Sequence, residues 1–412
     1  MDYSVPLAFE RTLATLLPAL DIIAQRVDDA AVPAWCSSRG WADYLLLLSE
    51  QDLERCEAEG LAVVAESLPR VPASLRELAA RVCELSELPA LDAPSVTQNQ
   101  DFRGVSWRKQ QQLSALLGAL TPLVAQARRI VDVGAGSGHF TRLSARHFSR
   151  EALGLERNAE RVARASSREQ ADASARFSAQ FAVVDAFRDG LALRADDLAI
   201  GLHACGELGD TLVRAVADSG ADLALVSCCL QKIGALERVA LSEAAHGLAL
   251  HKETLGLSNL TSQAVGVETS IERTMQARQA RYALRQLLRA RGLEIAPGAE
   301  MHGINRRQAH AGLAEIAARS LSQRGLRPAS AAELEHHQRE ATLHFHAVRR
   351  LSLPRNMLAR AVELSVVLDR ALHLLERGYS VRVATLFERA VTPRNISLFA
   401  SRDAARLPRV RT

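Results

Sequence analysis

The chain has 412 residues, of which 48% are hydrophobic and 24% charged, a composition that is typical of a folded globular protein and excludes a disordered one. Its length exceeds the needs of one average domain, so we expect two domains or one domain with large insertions. The net charge of +4 only weakly favours an anionic partner.

Membrane and secretory signals are not expected. The first residues, M-D-Y-S-V-P, lack the basic and apolar regions of a signal peptide, and charged residues interrupt each apolar stretch before it reaches the length of a membrane span.

The cysteines form no C-x-x-C pair, which predicts a reducing cytoplasm and no metal site. The oligomeric state is left open. The six cysteines are Cys36, Cys56, Cys83, Cys205, Cys228 and Cys229.

The predicted elements begin with helices. Residues 1–95 show apolar side chains at helical spacing and are predicted to form an N-terminal helical domain. A polar, turn-rich stretch over 91–104 is predicted to be a linker or lid. A helix is expected over Arg108–Leu120.

Strands then alternate with helices through residues 96–230, which predicts a parallel sheet covered on both faces. Residues 231–376 are predicted to be a helical insertion, and residues 377–412 to carry two final strands and a basic tail, either an RNA-contacting arm or a frayed end. The predicted strands are Arg129–Gly134, Ala152–Glu156, Phe181–Asp185, Leu198–His203, Ala221–Ser227, Ser380–Phe387 and Ile396–Ala400.

A glycine-rich loop follows the first predicted strand, with the pattern D-x-G-x-G-x-G from Asp132 to Gly138. Glycines after a strand permit a tight turn and let the backbone approach a ligand. Glu156 ends the next strand, where an acid can accept hydrogen bonds from both hydroxyls of a ribose. The alternative, a dinucleotide, is disfavoured because an acid two residues before the first glycine suits a cationic ammonium group and repels a pyrophosphate.

The predicted cofactor is therefore S-adenosylmethionine, and the loop resembles the cofactor motif of class I methyltransferases. Asp185, at the end of the third strand, is expected to contact the adenine; the alternative is that it caps the next helix. The predicted cofactor-binding residues are Asp132, Gly134, Ala135, Gly136, Gly138, Glu156, Arg157, Asp185, Ala186 and His203.

The fourth and fifth strands end in L-H-A-C-G and C-C-L-Q-K, which begin at Leu202 and Cys228. This pair resembles a methyltransferase-like family that is related to the eukaryotic tRNA 2′-O-methyltransferase domain and to the rRNA adenine dimethylase domain-containing protein. The segments from Trp41, Ser106 and Thr392 are similar to other parts of that family, so the resemblance spans most of the chain.

This resemblance implies a Rossmann-like α/β fold: seven strands with the last antiparallel, an N-terminal helical domain, and a helical insertion between the fifth and sixth strands. It also implies direct methyl transfer to an oxygen or nitrogen of tRNA or rRNA. The alternatives are a small-molecule or protein methyltransferase that uses the insertion as a lid, and a binding module without catalysis. No D/N-P-P-Y/F motif follows the fourth strand, which argues against the usual grip on an exocyclic base amine.

The candidate residues of the acceptor side carry alternatives. His203 is either a general base or a structural histidine, and Cys228 is either a nucleophile or a packed thiol. Only three of the 51 basic residues are lysines, and two of these, Lys109 and Lys232, lie in the motifs. The predicted catalytic residues are His203, Cys228 and Lys232. The predicted substrate-binding residues are Lys109, Cys205, Arg278, Arg281, Arg285, Arg394 and Asn395.

Arginines at positions 278, 281, 285 and 289 have spacings of three, four and four, which places them on one face of a helix. Such a stripe can neutralise phosphates of an RNA. The alternative is an ordinary solvated helix face.

Overall fold

The computed structural model describes residues 3–28, 30–93, 96, 105–171, 177–262, 271–295, 298–305, 308–388, 391–392 and 394–411. Most of the predicted linker or lid over 91–104 lies outside the described residues. The chain divides into two compact units. The first unit comprises Met1–Ala24, Arg81–Val265 and Leu358–Thr412, and the second comprises Gln25–Ala80 and Gly266–Met357.

Helices occupy the N-terminal residues and alternate with strands from residue 107 to residue 227, as predicted. The helices are α1 (Val5–Leu16), α2 (Leu20–Ala24), α3 (Ala34–Ser38), α4 (Ala42–Leu46), α5 (Glu50–Glu59), α6 (Leu61–Val64), α7 (Ala73–Ser86), α8 (Trp107–Val124), α9 (His139–Phe148), α10 (Ala159–Gln170), α11 (Glu207–Ser219), α12 (Lys252–Leu255), α13 (Ile271–Ala290), α14 (Leu313–Gln323), α15 (Ala331–Leu351), α16 (Leu353–Met357) and α17 (Ala359–Glu376). The strands are β1 (Arg129–Val133), β2 (Glu151–Glu156), β3 (Ala179–Val183), β4 (Asp197–Ala204), β5 (Asp222–Ser227), β6 (Glu237–Val239), β7 (Ala249–His251), β8 (Ser380–Thr385) and β9 (Ile396–Ser401).

The first unit is built on a seven-stranded sheet with the order β3-β2-β1-β4-β5-β9-β8. Strands β1 to β5 are parallel, and β9 runs antiparallel to both of its neighbours, β5 and β8. Each strand of this sheet begins and ends within two residues of its predicted bounds. The predicted seven-stranded, Rossmann-like sheet with one antiparallel strand is therefore confirmed.

The sheet forms where the sequence gives short apolar runs. Every residue of β5 is buried, as expected for a parallel strand covered on both faces. Helix α8 lies on this core through Leu113, Leu116, Leu117 and Leu120. Because these strands run parallel, the carboxyl ends of β1, β2, β4 and β5 lie at one edge of the sheet, where ligands of open α/β sheets bind.

The predicted helical insertion, residues 231–376, is more varied than its helical periodicity suggested. It contains an antiparallel pair, β6 and β7, and its last helix, α17, belongs to the unit of the sheet. The first and third predicted segments, 1–95 and 231–376, each contribute to both compact units. Periodicity identifies a helix but not its packing partner, so the sequence did not anticipate this division.

The basic tail is folded rather than frayed. The Arg402 guanidinium lies 4.8 Å from the centre of the Tyr379 ring. Arg406 forms an ion pair with Asp222 and donates a 3.1 Å hydrogen bond to the carbonyl of Leu123. These contacts secure the tail against the sheet unit. Separately, none of the described helices has the length and apolarity needed to cross a bilayer.

Candidate active site

The glycine loop connects β1 to α9 in a conformation that L side chains rarely adopt. Gly134, Gly136 and Gly138 have φ angles of +79°, +59° and +70°. A Cβ atom at Gly138 would lie 2.5 Å from the Phe181 ring, whereas at Gly136 the nearest atom would be 3.9 Å away. The loop therefore packs tightly against β3 at its end but leaves its backbone open for a ligand near Gly136.

Glu156 at the end of β2 is fixed beside this loop. Its Oε2 accepts a 3.0 Å hydrogen bond from the Gly136 amide, and its Oε1 accepts one of 3.0 Å from the Asn158 amide. A carboxylate offers about four lone-pair positions, so two remain for the hydroxyls of a ribose. The preformed loop and this acid fit S-adenosylmethionine.

Asp132 lies beneath the loop and is buried. Its Oδ2 accepts a 2.6 Å hydrogen bond from the Thr141 hydroxyl. Burial raises the pKa of Asp132 to about 6, although the Thr141 hydrogen bond and the charge of Lys109 oppose this shift. Burial in turn lowers the pKa of Lys109, and the charge of Asp132 opposes that change. Helix α8 thus brings the charge of Lys109 close to Asp132, and the role of Lys109 in binding substrate stays a prediction.

The Asp132→Asn variant is expected to reveal this buried carboxyl. A carboxyl whose pKa is higher in the folded chain stabilises it fully below the unfolded value of about 3.9, and this stabilisation is lost as the pH rises through 6. We expect the variant and the wild type to unfold with similar free energies at pH 4. At pH 8 the variant should be more stable by about 3 kcal/mol. Urea unfolding at both pH values measures this difference.

Asp218→Asn, at an exposed surface position, controls for the loss of one carboxylate. A stability difference between Asp132→Asn and wild type that is the same at pH 4 and pH 8 contradicts the assignment.

Asp185 follows β3 and caps the next turn. Its Oδ1 accepts a 3.0 Å hydrogen bond from the Phe187 amide, and its own amide donates to Asp189 Oδ2 at 2.9 Å. Asp185 therefore caps a turn and not the helix that the alternative predicted, and the contact with adenine stays a prediction. Arg157 is exposed after Glu156, and Ala186 is half-buried.

His203 interrupts the end of β4. Its φ angle is +65°, and the register of β4 against β5 shifts between Leu202 and Ala204. Its Nε2 lies 3.3 Å from Gln112 Oε1 on α8. The amide oxygen only accepts, so the tautomer that makes this hydrogen bond has its proton on Nε2 and its lone pair on Nδ1. Burial, followed by the charges of Arg394 and Lys109, lowers the pKa of His203.

Three cysteines meet beside His203. The thiols of Cys205 and Cys228 each donate a 3.2 Å hydrogen bond to the His203 carbonyl. Contacts with the thiols of Cys205 and Cys229, together with burial, raise the pKa of Cys228. Contacts with the thiols of Cys205 and Cys228, followed by the charges of Arg394 and Lys232, lower the pKa of Cys229 against the effect of burial. These contacts disfavour Cys228 as a nucleophile.

Arg394 and Asn395, which directly precede β9, make different contacts. Arg394 Nη1 donates to Cys229 Sγ at 3.4 Å, and its Nη2 donates to Asn259 Oδ1 at 3.2 Å. Asn395 instead accepts from Arg360 and donates to the Phe387 carbonyl, both at 3.2 Å. Arg394 therefore joins the cluster at the ends of β4 and β5, whereas Asn395 holds the turn together.

Comparison with known proteins agrees with this geometry. The family model described as "Methyltransferase domain" matches residues 108–235, which hold the glycine loop, Glu156, His203 and the three cysteines. Residues 108–235 are therefore similar to a methyltransferase domain. The glycine loop and Glu156 within this range fit S-adenosylmethionine.

Three solved structures are similar to parts of this chain, and less than two thirds of each is covered. The Pyrococcus abyssi tRNA (uracil-54, C5)-methyltransferase has 19% identity, 29% coverage of both chains and a TM-score of 0.23. The Synechocystis PCC 6803 magnesium protoporphyrin IX methyltransferase has 18% identity, 32% coverage of this chain, 61% of its own and a TM-score of 0.25. Streptomyces venezuelae DesVI has 17% identity, 31% and 52% coverage and a TM-score of 0.24.

The arginine stripe predicted to bind RNA lies outside the methyltransferase domain and is engaged within the second unit. Arg285 is only 4% exposed and forms ion pairs with Asp28, at 2.5 Å, and with Glu300, at 3.4 Å. Arg281 contacts the same Glu300 at 2.9 Å. Burial also lowers the pKa of Arg278. Arg281 and Arg285 therefore hold α13 to Asp28 and Glu300, so we leave the stripe out of the RNA surface.

Several residues of the site were not assigned a role from the sequence. Thr141 binds Asp132, Gln112 contacts His203, and Cys229 is held by Arg394. Thr141 lies three residues after the loop motif, and Cys229 adjoins a named cysteine, so sequence reasoning could have found both. Gln112 lies on a helix 91 residues before its partner, and only the fold brings the two together.

Proposed function

We propose that this protein transfers a methyl group from S-adenosylmethionine directly to an oxygen or nitrogen of RNA, either tRNA or rRNA, in the cytoplasm. Its six cysteines are all free thiols, which suits a reducing compartment. The observation that supports RNA as the substrate is a basic helix face that begins next to Glu156.

This basic face is formed by Arg157 and by Arg161, Arg164 and Arg168 of α10, at spacings of four, three and four. The side chains of Arg161 and Arg164 are 55% and 66% exposed. Arg161 lies 3.8 Å from Glu156, so the face starts at the cofactor cleft. Exposed cations in such a row can neutralise successive phosphates of an RNA backbone.

A second support lies at the start of α8. Trp107 is 67% exposed, and the next two residues are Arg108 and Lys109. An exposed indole beside cations can stack on an unpaired base, as in proteins that bind single-stranded RNA. Burial, followed by the charges of Lys109, Arg142 and Arg168, lowers the pKa of His139, so α8, α9 and α10 bring their cations to one region.

The residues of the cleft suggest how transfer proceeds. S-adenosylmethionine supplies an electrophilic methyl group on a sulfonium. Glu156 and the glycine loop would hold the cofactor beside the acceptor, so most of the rate would arise from proximity and orientation. His203 Nδ1 carries the lone pair that takes the acceptor proton. Lys109 and Lys232 supply positive charge for the substrate phosphates.

We expect labelled methyl from S-adenosylmethionine to enter the RNA pool when the enzyme is incubated with fractionated extract. Replacing Arg161, Arg164 and Arg168 together by glutamine should raise the KM for that RNA at least about tenfold. The slope of log affinity against log salt should fall by about 2 to 3, because each lost phosphate contact contributes about 0.7 to 0.9. Filter binding at several salt concentrations measures the slope.

The matched control replaces three exposed arginines of the second unit, Arg319, Arg327 and Arg339, by glutamine. The dissociation constant of the cofactor is measured for all variants and should not change. Label in the small-molecule or protein pool instead of RNA supports an alternative substrate class. No label in any pool, despite cofactor binding, supports a binding module without catalysis.

A further inference from the structure

Cys205, Cys228 and Cys229 form a compact three-thiol cluster, separate from the cofactor-binding loop. Their Sγ atoms all lie within 4.8 Å of one another, and within the described ranges no other group of three or more metal-ligating side chains comes together in this way. Cys205 follows β4 and the cysteine pair follows β5, so two neighbouring parallel strands deliver the thiols to one place. Cys228 is buried, and the other two are half-buried.

We propose that Cys205, Cys228 and Cys229 bind a zinc ion through three thiolates and leave its fourth position open to the cleft. Zinc takes thiolate ligands at about 2.3 Å in tetrahedral geometry, which places sulfur atoms about 3.8 Å apart. The three thiols therefore approach one another by at most about 1 Å on binding. Soft thiolate ligands also exclude magnesium and calcium as the natural occupants.

The segments that carry the thiols are fixed to each other before any metal binds. Arg370 donates 2.7 Å hydrogen bonds to the Gly206 carbonyl and to the Ser227 hydroxyl, the neighbours of Cys205 and Cys228. A Cβ atom at Gly206 would lie 2.2 Å from the Lys232 carbonyl, so the two strand ends are in close contact. Such a preorganised pair of segments lowers the entropy cost of forming a metal site.

The surrounding groups suit the charge of the site. Three thiolates and one Zn²⁺ carry a net charge of −1, and Arg394 donates to Cys229 while Lys232 lies near enough to act on both Cys205 and Cys229. Hydrogen bonds from outer residues orient metal ligands and tune their basicity. In zinc enzymes, three protein ligands with an open position are typical of catalytic sites, where a substrate atom binds the fourth position.

The experiment uses the full chain, purified under reducing conditions without chelator, and zinc as the probe. We expect one zinc per chain by elemental analysis, and thiolate charge-transfer bands after replacement of zinc by cobalt. The variants Cys205→Ser, Cys228→Ser and Cys229→Ser should each retain less than about a tenth of the zinc, because a site that loses one of three ligands binds metal far more weakly. Cys83→Ser, in the same unit, is the matched control and should keep its zinc.

A second measurement does not depend on the folding of variants. Alkylation of the native wild type, followed by mass spectrometry, should show Cys205, Cys228 and Cys229 protected by zinc and modified after chelation, with Cys83 unaffected by the metal. A reduced wild type that binds no more zinc than the triple serine variant overturns the proposal, as does equal alkylation with and without metal. Neither readout requires RNA or S-adenosylmethionine, so the zinc site and the proposed function fail independently.

Discussion

Replacing Glu156 with alanine is expected to weaken the binding of S-adenosylmethionine by about 100-fold. The remaining lone pairs of Glu156 are the acceptors for the ribose hydroxyls, and hydrogen bonds to a charged group contribute about 1.5 to 3 kcal/mol each. The same change leaves the Gly136 amide without its 3.0 Å acceptor and loosens the glycine loop. Calorimetric titration with S-adenosylmethionine and S-adenosylhomocysteine measures both affinities.

Two variants separate the cofactor contact from a general effect of charge. Glu160→Ala removes an exposed acid from the first turn of α10, and its cofactor affinity should equal that of the wild type. Glu156→Gln keeps one acceptor oxygen and should show an intermediate affinity. If Glu156→Ala and Glu160→Ala bind the cofactor equally well, the cofactor site is not where we place it.

The sheet could be predicted from the sequence because its signals are local. The run Ile130–Val133 is buried between β2 and β4, and the glycines that follow it are needed for φ angles that other residues avoid. Glu156 could be assigned for the same reason, since it ends the very next strand. In each case the residues that form the feature belong to consecutive elements of the chain, so the sequence pattern alone reveals it.

Other features depend on residues that are distant in sequence. The stripe of α13 looked like a phosphate-binding face because its own helix has almost no acid, but its partners Asp28 and Glu300 come from other segments. The three thiols gave no C-x-x-C spacing, because 23 residues separate Cys205 from Cys228 and only the pairing of β4 with β5 unites them. Ion pairs and clusters of this kind cannot be predicted from local sequence patterns, because only the folded chain brings their members together.

A buried network of two arginines and two aspartates joins α17 to the ends of β4 and β5. Arg370 is fully buried and donates to Asp210 Oδ1 at 2.8 Å. Arg238 of β6 forms ion pairs with the same Asp210 at 2.9 Å and with Asp369 at 2.7 Å. The charges of Arg370 and Arg238 lower the pKa of Asp210 against the effect of burial. Each charge in this network is therefore compensated by at least one opposite charge.

Arg370→Met is expected to reduce the free energy of unfolding of the sheet unit by about 4 kcal/mol, because breaking a buried ion pair leaves its partner under-compensated. The loss should be local: hydrogen exchange should accelerate first at 203–206 and 226–230, where Arg370 holds the Gly206 carbonyl and the Ser227 hydroxyl.

Arg377→Met is the control, since this exposed arginine at the end of the same helix makes a 3.7 Å pair with Asp218. Its effect should stay within about 0.5 kcal/mol. Because Arg370 and Asp210 are in contact, the double variant Arg370→Met, Asp210→Asn should lose less stability than the two single variants summed. Equal urea midpoints and exchange rates for Arg370→Met and Arg377→Met would show that α17 does not position the strand ends that carry His203 and the cysteines.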